Sequence, residues 1–261
     1  MSSLSSLKSL GQHFLRQPKI LAKIAQAVGK REVILEIGAG KGELTAFLLP
    51  QAKKLLAVEI DRKLFALLKV KFDRSHYIEL YHKDILEFDF RRLGRKITVV
   101  GNIPYYLSNN LVYYLVEQRQ FIDQAFLMFQ HEFGSKLIGR RQRSFLTFFL
   151  QYYAQVVPLF SIPPSAFYPS PKVNSRFICI DFEKPYGRRC WCEDFLWHML
   201  KVVFSQRRKK IVNSLKSLAG KIDSKKILAD LGISQDVRPE ELDLKDFIKI
   251  AELLYRRFRE V

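Results

Sequence analysis

Residues 101–105 read Gly-Asn-Ile-Pro-Tyr and follow a short apolar run at residues 97–100. The side-chain carbonyl of Asn102 and a backbone carbonyl near Pro104 can both accept hydrogen bonds from one exocyclic amine. The ring of Tyr105 can stack on the base that carries this amine, and the proline, with its fixed φ, holds the turn rigid. An ordinary turn between a strand and a helix also favours Asn, Pro and Gly. The pentapeptide therefore predicts chemistry on an aromatic amine only if the rest of the chain supplies an electrophile.

A glycine-rich loop, Gly-Ala-Gly-Lys-Gly at residues 38–42, follows the apolar run at residues 33–37. Glu43 occupies the position of the third glycine of a dinucleotide-binding loop, and the Gly-Lys-Ser/Thr of a P-loop is absent. Gly38 and Gly40 leave the backbone of the loop bare. The loop therefore suits a cofactor without phosphates whose amino-acid tail lies against the backbone.

Acidic residues end or follow the next two predicted strands. Glu59 ends one strand, at the position where a carboxylate binds the hydroxyls of a ribose. Asp84 follows the next strand and can accept a hydrogen bond from an adenine amino group, with Ile85 packing on the ring. Ribose, adenine and a phosphate-free tail together describe S-adenosylmethionine. Asp61 and Glu36 are close enough in sequence to take over part of the role of Glu59, and that assignment stays open.

Hydrophobic periodicity predicts alternating strands and helices through the first half of the chain. The predicted strands are residues 33–37, 55–60, 77–81, 97–100 and 125–129, and the predicted helices are residues 18–28, 43–49, 63–70 and 109–117. Because these strands are continuously apolar, we expect an α/β fold with a mostly parallel sheet and helices on both faces. Residues 156–182 predict a late antiparallel pair of strands. The carboxyl ends of the parallel strands share one edge, which would bring the candidate residues together.

The second half of the chain predicts a domain boundary and a helical end. Residues 183–189 are polar and contain Pro185 and Gly187, which predicts a first domain at residues 1–185 and a second at 186–261. The second domain is predicted to be all α, with amphipathic helices at residues 191–200, 209–218, 225–231 and 245–258. The uncharged stretch at residues 144–162 is long enough to cross a bilayer. Its glutamines and proline favour a buried helix followed by a strand instead.

The charge balance predicts a polyanionic partner. The 261 residues include 44 Lys and Arg against 26 Asp and Glu, for a formal charge of +18. Nucleic acid is the commonest partner of such a chain, and an anionic membrane surface is the alternative. The first residues lack the apolar segment of a signal peptide, and three cysteines give neither a disulfide framework nor a zinc spacing. We expect a reduced, cytoplasmic protein without a bound metal.

Several motifs taken together resemble the ribosomal RNA adenine dimethylases. They are Gln12-x-Phe14-Leu15, the loop at 38–42, the pentapeptide at 101–105 and Phe167-x-Pro-x-Pro-Lys-Val-x-Ser175. Two further stretches, Phe204-x-x-Arg-Arg-Lys209 with Asn213 and Arg238-Pro-Glu-Glu-Leu242, are similar to the small-subunit dimethyladenosine transferases of the KsgA type. The resemblance spans nearly the whole chain. It implies a Rossmann-like class I methyltransferase fold with an antiparallel last strand and a small helical C-terminal domain that binds rRNA.

The resemblance also implies roles for particular residues. Contacts to S-adenosylmethionine or its pocket are implied for His13, Leu15, Gly38, Gly40, Glu59, Asp84, Ile85 and Asn102. Asn102 and the carbonyl of Pro104 would orient the target amine, with Tyr105 and Phe167 stacking on the adenine. RNA contacts are implied for Arg140, Arg141, Arg143, Lys172, Arg207, Arg208 and Lys209. The implied reaction dimethylates N6 of two adjacent adenosines in the 3′-terminal hairpin of 16S rRNA, within the 30S subunit or its precursor, by a monomeric enzyme.

Two departures from the family pattern affect these expectations. Position 13 is His where the family usually has Asn, so we expect the methionine tail to be held differently. Residues 133–143 also depart from the usual pattern and look shortened, which changes the lid or RNA contact expected there.

Three other functions remain open at this stage. A 23S rRNA adenine dimethylase shares the N-terminal motifs, and a ribosome assembly factor could keep the fold without catalysis. The intact Asn102 and Glu59 argue against the second of these. A DNA adenine methyltransferase is less favoured, because those enzymes usually carry Asp at the position of Asn102.

Overall fold

The computed structural model describes residues 13–139, 142–205, 209–220 and 222–259. Its strands are β1 (Phe14–Leu15), β2 (Arg31–Ile37), β3 (Ala52–Glu59), β4 (Ile78–His82), β5 (Ile97–Asn102), β6 (Ile122–Gln130), β7 (Gln155–Ile162), β8 (Phe167–Tyr168) and β9 (Ser175–Asp181). Its helices are α1 (Pro18–Val28), α2 (Glu43–Leu48), α3 (Arg62–Lys71), α4 (Ser108–Glu117), α5 (His131–Ile138), α6 (Phe145–Tyr153), α7 (Glu193–Ser205), α8 (Ile211–Ala219), α9 (Ser224–Asp230) and α10 (Leu244–Arg259). The strands and helices predicted from periodicity are all present, with small shifts at their ends.

Seven strands form one sheet in the order β4-β3-β2-β5-β6-β9-β7. The first five strands in this order are parallel, and β9 runs antiparallel to both of its neighbours. The predicted α/β fold, mostly parallel with an antiparallel last strand, is therefore confirmed. This order makes β2 and β5 the centre of the sheet and directs their carboxyl ends to the same edge.

The central strands are apolar on both faces because helices cover both sides of the sheet. In β2, Ile34 and Leu35 are fully buried, yet they belong to different hydrophobic clusters. Ile34 packs with α1 residues such as Ile24, whereas Leu35 packs with α4 residues such as Leu111. A strand that is buried on both faces has a continuous run of apolar residues. The sequence pattern therefore predicted the positions of these strands.

A second, two-stranded ladder joins the N-terminal segment to the loop before β9. Phe14 pairs with Tyr168 and Leu15 with Phe167 in antiparallel register. The Arg16 backbone N–H donates to the Ala166 carbonyl at 2.9 Å and extends this contact. The ladder fixes residues 13–16 against the carboxyl edge of the main sheet.

The C-terminal helices build a hydrophobic cluster that also takes in part of α6. Phe148 and Tyr152 of α6 are buried among residues of α7 and α10, including Phe247. The Tyr152 hydroxyl donates to a carboxylate oxygen of Glu193 at 2.6 Å. The helical end is thus confirmed, whereas the domain boundary at 185/186 stays a prediction because α6 shares its side chains with both parts.

The uncharged stretch at 144–162 folds as α6 followed by β7, as expected. In the part of the chain that the structure describes, no helix is both long enough and apolar enough to cross a bilayer.

Candidate active site

A cleft opens at the carboxyl edge of the sheet, above β2, β3 and β5. The volume of the cleft, including the part open to solvent, is about 990 Å³. It is lined by His13, Phe14, Ile37, Gly38, Gly40, Val58, Glu59, Ile60, Lys83, Asp84, Ile85, Asn102, Ile103, Pro104, Tyr105, Tyr106 and Leu107. The loop, the two strand-end acids and the pentapeptide therefore meet around one cavity, which is the arrangement that the sequence predicted.

The glycine-rich loop forms one wall of this cleft. Gly38 and Gly40 have φ values of +68° and +59°, in the left-handed region that favours glycine. A Cβ at position 40 would lie 3.1 Å from the ring of Phe14, whereas one at position 38 would meet nothing within 4 Å. The bare backbone at Gly38 is exposed. It therefore leaves room for a ligand to lie directly against the loop.

Glu59 is buried at the end of β3 and is held by backbone donors. One carboxylate oxygen accepts the Gly40 N–H and the other accepts the Asp61 N–H, each at 2.8 Å. Burial raises the pKa of the Glu59 carboxyl, and the two backbone donors oppose that shift. The carboxylate is fixed at the cleft wall, where its remaining lone pairs can accept hydrogen bonds from a diol.

Asp61 and Glu36, the alternatives to Glu59, have other surroundings. Asp61 caps α3 by accepting the Lys63 and Leu64 N–H groups. Glu36 is buried beneath the loop beside Thr45, and burial raises the pKa of its carboxyl to about 8. Neither residue lines the cleft. Glu59 thus remains the candidate for the ribose.

Asp84 and Ile85 lie where the adenine of a nucleoside would fit. Asp84 follows β4, is partly buried, and accepts the Leu86 N–H at 2.9 Å. Ile85 is buried and lines the cleft beside it. The pair offers a polar acceptor and an apolar surface next to each other.

Asn102 is oriented by the N-terminal segment. Its side-chain amide donates to the backbone carbonyl of His13 at 2.8 Å. This contact uses the NH₂ group of the amide and leaves its carbonyl oxygen as an acceptor. Because the backbone of residue 13 makes it, the His in place of the usual Asn does not affect the contact. The His13 ring instead donates from Nδ1 to the Pro169 carbonyl at 2.7 Å.

The second acceptor for an amine requires a correction. The Pro104 carbonyl already accepts the Leu107 N–H at 3.0 Å and the Ser108 hydroxyl at 3.3 Å. A carbonyl oxygen has two lone pairs, so little capacity remains for a substrate. The Ile103 carbonyl takes part in none of the hydrogen bonds found among the described residues. Of these two carbonyls, that of Ile103 is the one left without a hydrogen bond among the described residues.

The aromatic residues are placed differently from one another. Tyr105 lines the cleft and is partly buried, with its ring centroid 5.8 Å from that of His13. Phe167 is only 6% exposed and packs in the core with Leu15. A ring buried to this extent has no free face for a base, so its position does not support the predicted stacking. Tyr106 was not expected from the sequence, and it lines the mouth of the cleft.

Leu15 also faces away from the cleft. It is 5% exposed and packs with Leu21 of α1, whereas its neighbour Phe14 lines the cavity. The motif was identified correctly, but two adjacent strand residues point to opposite sides. A sequence motif alone does not say which of the two reaches the ligand.

The predicted RNA contacts have mixed outcomes. Arg140, Arg141, Arg207 and Arg208 lie outside the described residues. Lys172 and Lys209 are exposed. Arg143 is instead engaged within the protein: Nη1 donates to the Leu242 carbonyl at 2.8 Å and to Asp243 at 2.7 Å, and Nε donates to the Gly139 carbonyl. Arg143 thus bridges to the segment before the last helix, and its role in RNA binding stays a prediction.

The cysteines contribute nothing to the cleft. Cys179, Cys190 and Cys192 are free and buried. Among the residues that the structure describes, no group of three or more His, Cys, Asp or Glu side chains could hold a metal ion.

The seven-stranded sheet with β9 antiparallel, and the cleft at its carboxyl edge, are those of a class I methyltransferase fold. The family profile described as ribosomal RNA adenine dimethylase matches residues 4–256. The chain therefore belongs to the ribosomal RNA adenine dimethylase family.

Individual relatives agree with this assignment. The chain is 36% identical to "Ribosomal RNA small subunit methyltransferase A" of Fusobacterium nucleatum, over 96% of this chain and 98% of that protein. It is 35% identical to the protein of the same name from Coxiella burnetii, over 97% and 100%.

Two solved structures share the fold over almost the whole chain. A dimethyladenosine transferase from Plasmodium falciparum has a TM-score of 0.77 and 26% identity, covering 95% of this chain and 99% of that one. The 23S rRNA methyltransferase ErmE has a TM-score of 0.77 and 25% identity, covering 93% and 99%.

Proposed function

We propose that the chain transfers methyl groups from S-adenosylmethionine to N6 of two adjacent adenosines in the 3′-terminal hairpin of 16S rRNA. The observation that carries this proposal is the amine site itself, in which His13 holds Asn102 with its carbonyl oxygen available. The names and near-complete coverage of the bacterial relatives support the small subunit as the source of the RNA.

The cleft fits S-adenosylmethionine on the chemistry of its donors and acceptors. The exposed backbone at Gly38 would lie against the methionine tail, Glu59 would accept from the ribose hydroxyls, and Asp84 would accept from the adenine amine. When bound, this cofactor supplies an electrophilic methyl group on a sulfonium.

The residues of the pentapeptide would prepare the target amine for attack. The lone pair of adenine N6 is delocalised into the ring, which makes it a poor nucleophile. Carbonyl oxygens of Asn102 and Ile103, each accepting one N6 hydrogen, favour a pyramidal nitrogen and localise its lone pair. Both acceptors are neutral, so no general base is needed, because the methylated nitrogen is cationic and loses its proton to water. Tyr105 would stack on the extruded base and offset about 1–3 kcal/mol of the unstacking cost.

We also infer that the substrate is the RNA within the 30S subunit or its precursor, and that the enzyme acts as a monomer in the cytoplasm. The excess positive charge of the chain supports an RNA partner.

Tritium transfer from labelled S-adenosylmethionine to unmodified small-subunit particles, followed by nucleoside analysis, tests the proposal. We expect dimethyladenosine at two sites. A 23S rRNA fragment is the matched comparison, because ErmE is as similar in fold as the dimethyladenosine transferase. Preferential methylation of the 23S fragment would show that the chain is a 23S rRNA adenine dimethylase instead. Tight particle binding without transfer would indicate an assembly factor.

A further inference from the structure

A second groove lies past the end of β6. It is lined by residues 130–132, Pro164 and residues 172–174. The side chain of Gln130 lies beside the hydroxyl of Tyr105 and joins the two sites. A strand of RNA whose target base lies in the cleft would leave it next to this groove.

Arg176 of β9 contacts one of the residues that line the groove, His131, and has no carboxylate partner among the described residues. Its side chain is partly buried, and its Nη2 lies 3.5 Å from Nε2 of His131. Its Nε is buried and has no hydrogen-bond partner, and no carboxylate forms an ion pair with it among the described residues. A guanidinium that is partly removed from water and has no carboxylate beside it would be stabilised by a bound anion.

Packing against α5 positions the aliphatic stem of Arg176. Gly134 of α5 faces the stem of Arg176, and a Cβ at position 134 would lie 3.0 Å from the Arg176 Cβ. His131 is the first residue of α5, and its N–H donates to the Asn174 carbonyl at 2.9 Å. The stem of Arg176 therefore packs against α5, close to His131.

The charges around the groove favour an anion. Lys172 is exposed at its rim. The one carboxylate among the lining residues is that of Glu132, which is 80% exposed and lies 4.0 Å from Lys136. Arginine and lysine together match the geometry of a phosphate, with the planar guanidinium able to contact two oxygens.

We propose that Arg176, together with Lys172, binds the backbone phosphate of a nucleotide next to the target adenosine. This inference rests on the proposed function, since it takes the strand in the groove to be the RNA whose adenine lies at Asn102. The phosphate supplies the missing counter-charge of Arg176. Anchoring the strand beside the extruded nucleotide keeps the base in the cleft while the backbone stays fixed.

The first test compares Arg176→Met with Lys53→Met. Lys53 is 76% exposed at the amino end of β3, on the opposite edge of the sheet, so its variant removes the same charge elsewhere. The Kd for a small-subunit RNA hairpin is measured by fluorescence anisotropy over a range of salt concentrations. We expect Arg176→Met to weaken binding about tenfold and to lower the salt slope by about 0.7, the value for one single-strand phosphate. Lys53→Met should match the wild type, and Arg176→Lys should fall between.

The second test removes the phosphate charge instead. Single methylphosphonates are placed at each phosphate around the target adenosines. At one of these positions, the methylphosphonate should weaken binding of the RNA to the wild-type protein. The same substitution should not weaken binding to Arg176→Met any further, because that variant has already lost the contact. The inference would be overturned if the Arg176 and Lys53 variants had the same affinity for RNA and the same salt slope. It would also be overturned if no methylphosphonate weakened binding to the wild-type protein.

Two controls distinguish loss of the phosphate contact from misfolding of the variant and from failure of the proposed function. An unchanged Kd for S-adenosylmethionine shows that Arg176→Met is folded, and the scan on the wild type needs no variant. Absence of dimethyladenosine with the wild-type enzyme contradicts the proposed function. The anisotropy experiment does not depend on turnover and therefore judges the phosphate site alone.

Discussion

Asn102 illustrates how one backbone contact decides what a side chain can do. Because its amide NH₂ is committed to the His13 carbonyl, the opposite side of the amide presents an acceptor to the cleft. The sequence predicted this residue from its neighbours in the pentapeptide. The residue that orients it lies 89 positions earlier in the chain, and no local pattern relates the two.

Asn102→Ala should lower single-turnover methyl transfer by about 100-fold or more, because a preorganised electrostatic contact to the reacting amine is lost. The affinity for RNA should stay close to that of the wild type, since the basic surfaces are unchanged. Asn110→Ala, an exposed position on α4, is the matched control. Near-normal turnover of the Asn102 variant would contradict the orienting role.

Glu36 should make the stability of the protein depend on pH. Burial raises the pKa of its carboxyl to about 8, so the folded state keeps a proton that the unfolded chain loses near 4.5. The resulting stabilisation is complete below pH 4.5 and is lost as the pH rises to about 8. The slope approaches about 1.4 kcal/mol per pH unit.

Glu36→Gln should remove this dependence, because the amide does not titrate. Urea unfolding from pH 5 to pH 9 should show the variant gaining stability relative to the wild type as the pH rises. Glu32→Gln, an exposed acid on the same strand, is the control. A constant difference between wild type and Glu36→Gln at every pH would contradict the raised pKa.

At the scale of elements, the strands and helices were predictable but the short β1–β8 ladder was not. Buried parallel strands carry long apolar runs, whereas β1 and β8 have two residues each and no periodicity to detect. This ladder decides that Phe14 faces the cleft while Leu15 and Phe167 pack behind it. The motifs named from the sequence therefore border the cleft, whereas the side chains of Leu15 and Phe167 pack in the core behind it.

Phe167→Leu tests the packing role of that ring. The replacement keeps an apolar side chain but removes part of the ring from the core, so the free energy of unfolding should fall by about 1–3 kcal/mol. The KM for RNA should match that of the wild type in steady-state methylation. A raised KM at unchanged thermal stability would restore the predicted stacking on the adenine.

Arg143 connects two elements that are distant in sequence. Its guanidinium joins the segment after α5 to the carbonyl of Leu242 and the carboxylate of Asp243, just before α10. Arg143→Gln should lower the free energy of unfolding by about 1–3 kcal/mol, because charge-assisted hydrogen bonds are lost.

The exposed Arg95 provides the control for this change. Arg95→Gln removes the same charge from the surface and should leave the melting temperature almost unchanged. Equal stability of the two variants, with a selective loss of RNA affinity in Arg143→Gln, would return Arg143 to the RNA-binding surface.

At the scale of the whole molecule, the charge of +18 should control association with RNA. Binding to a phosphate backbone releases counterions, so affinity falls linearly with salt on logarithmic axes. We expect about a 100-fold loss between 50 and 200 mM salt, which corresponds to about five single-strand contacts. Filter binding of a small-subunit RNA across this range measures the slope, and a flat profile would exclude backbone contacts as the main source of affinity.

The position of β9 has a consequence for how the chain is made. Among the described strands, β7 is hydrogen-bonded to β9 alone, and β9 follows it in the sequence. During synthesis from the N-terminus, residues 155–162 therefore emerge with no neighbour to complete their backbone hydrogen bonds. The half-finished sheet ends at β6 until residue 181 has left the ribosomal tunnel. Translation pauses before that point would leave an open edge, and nascent chains stalled there should be cut by protease within 155–162 while β2–β6 are protected.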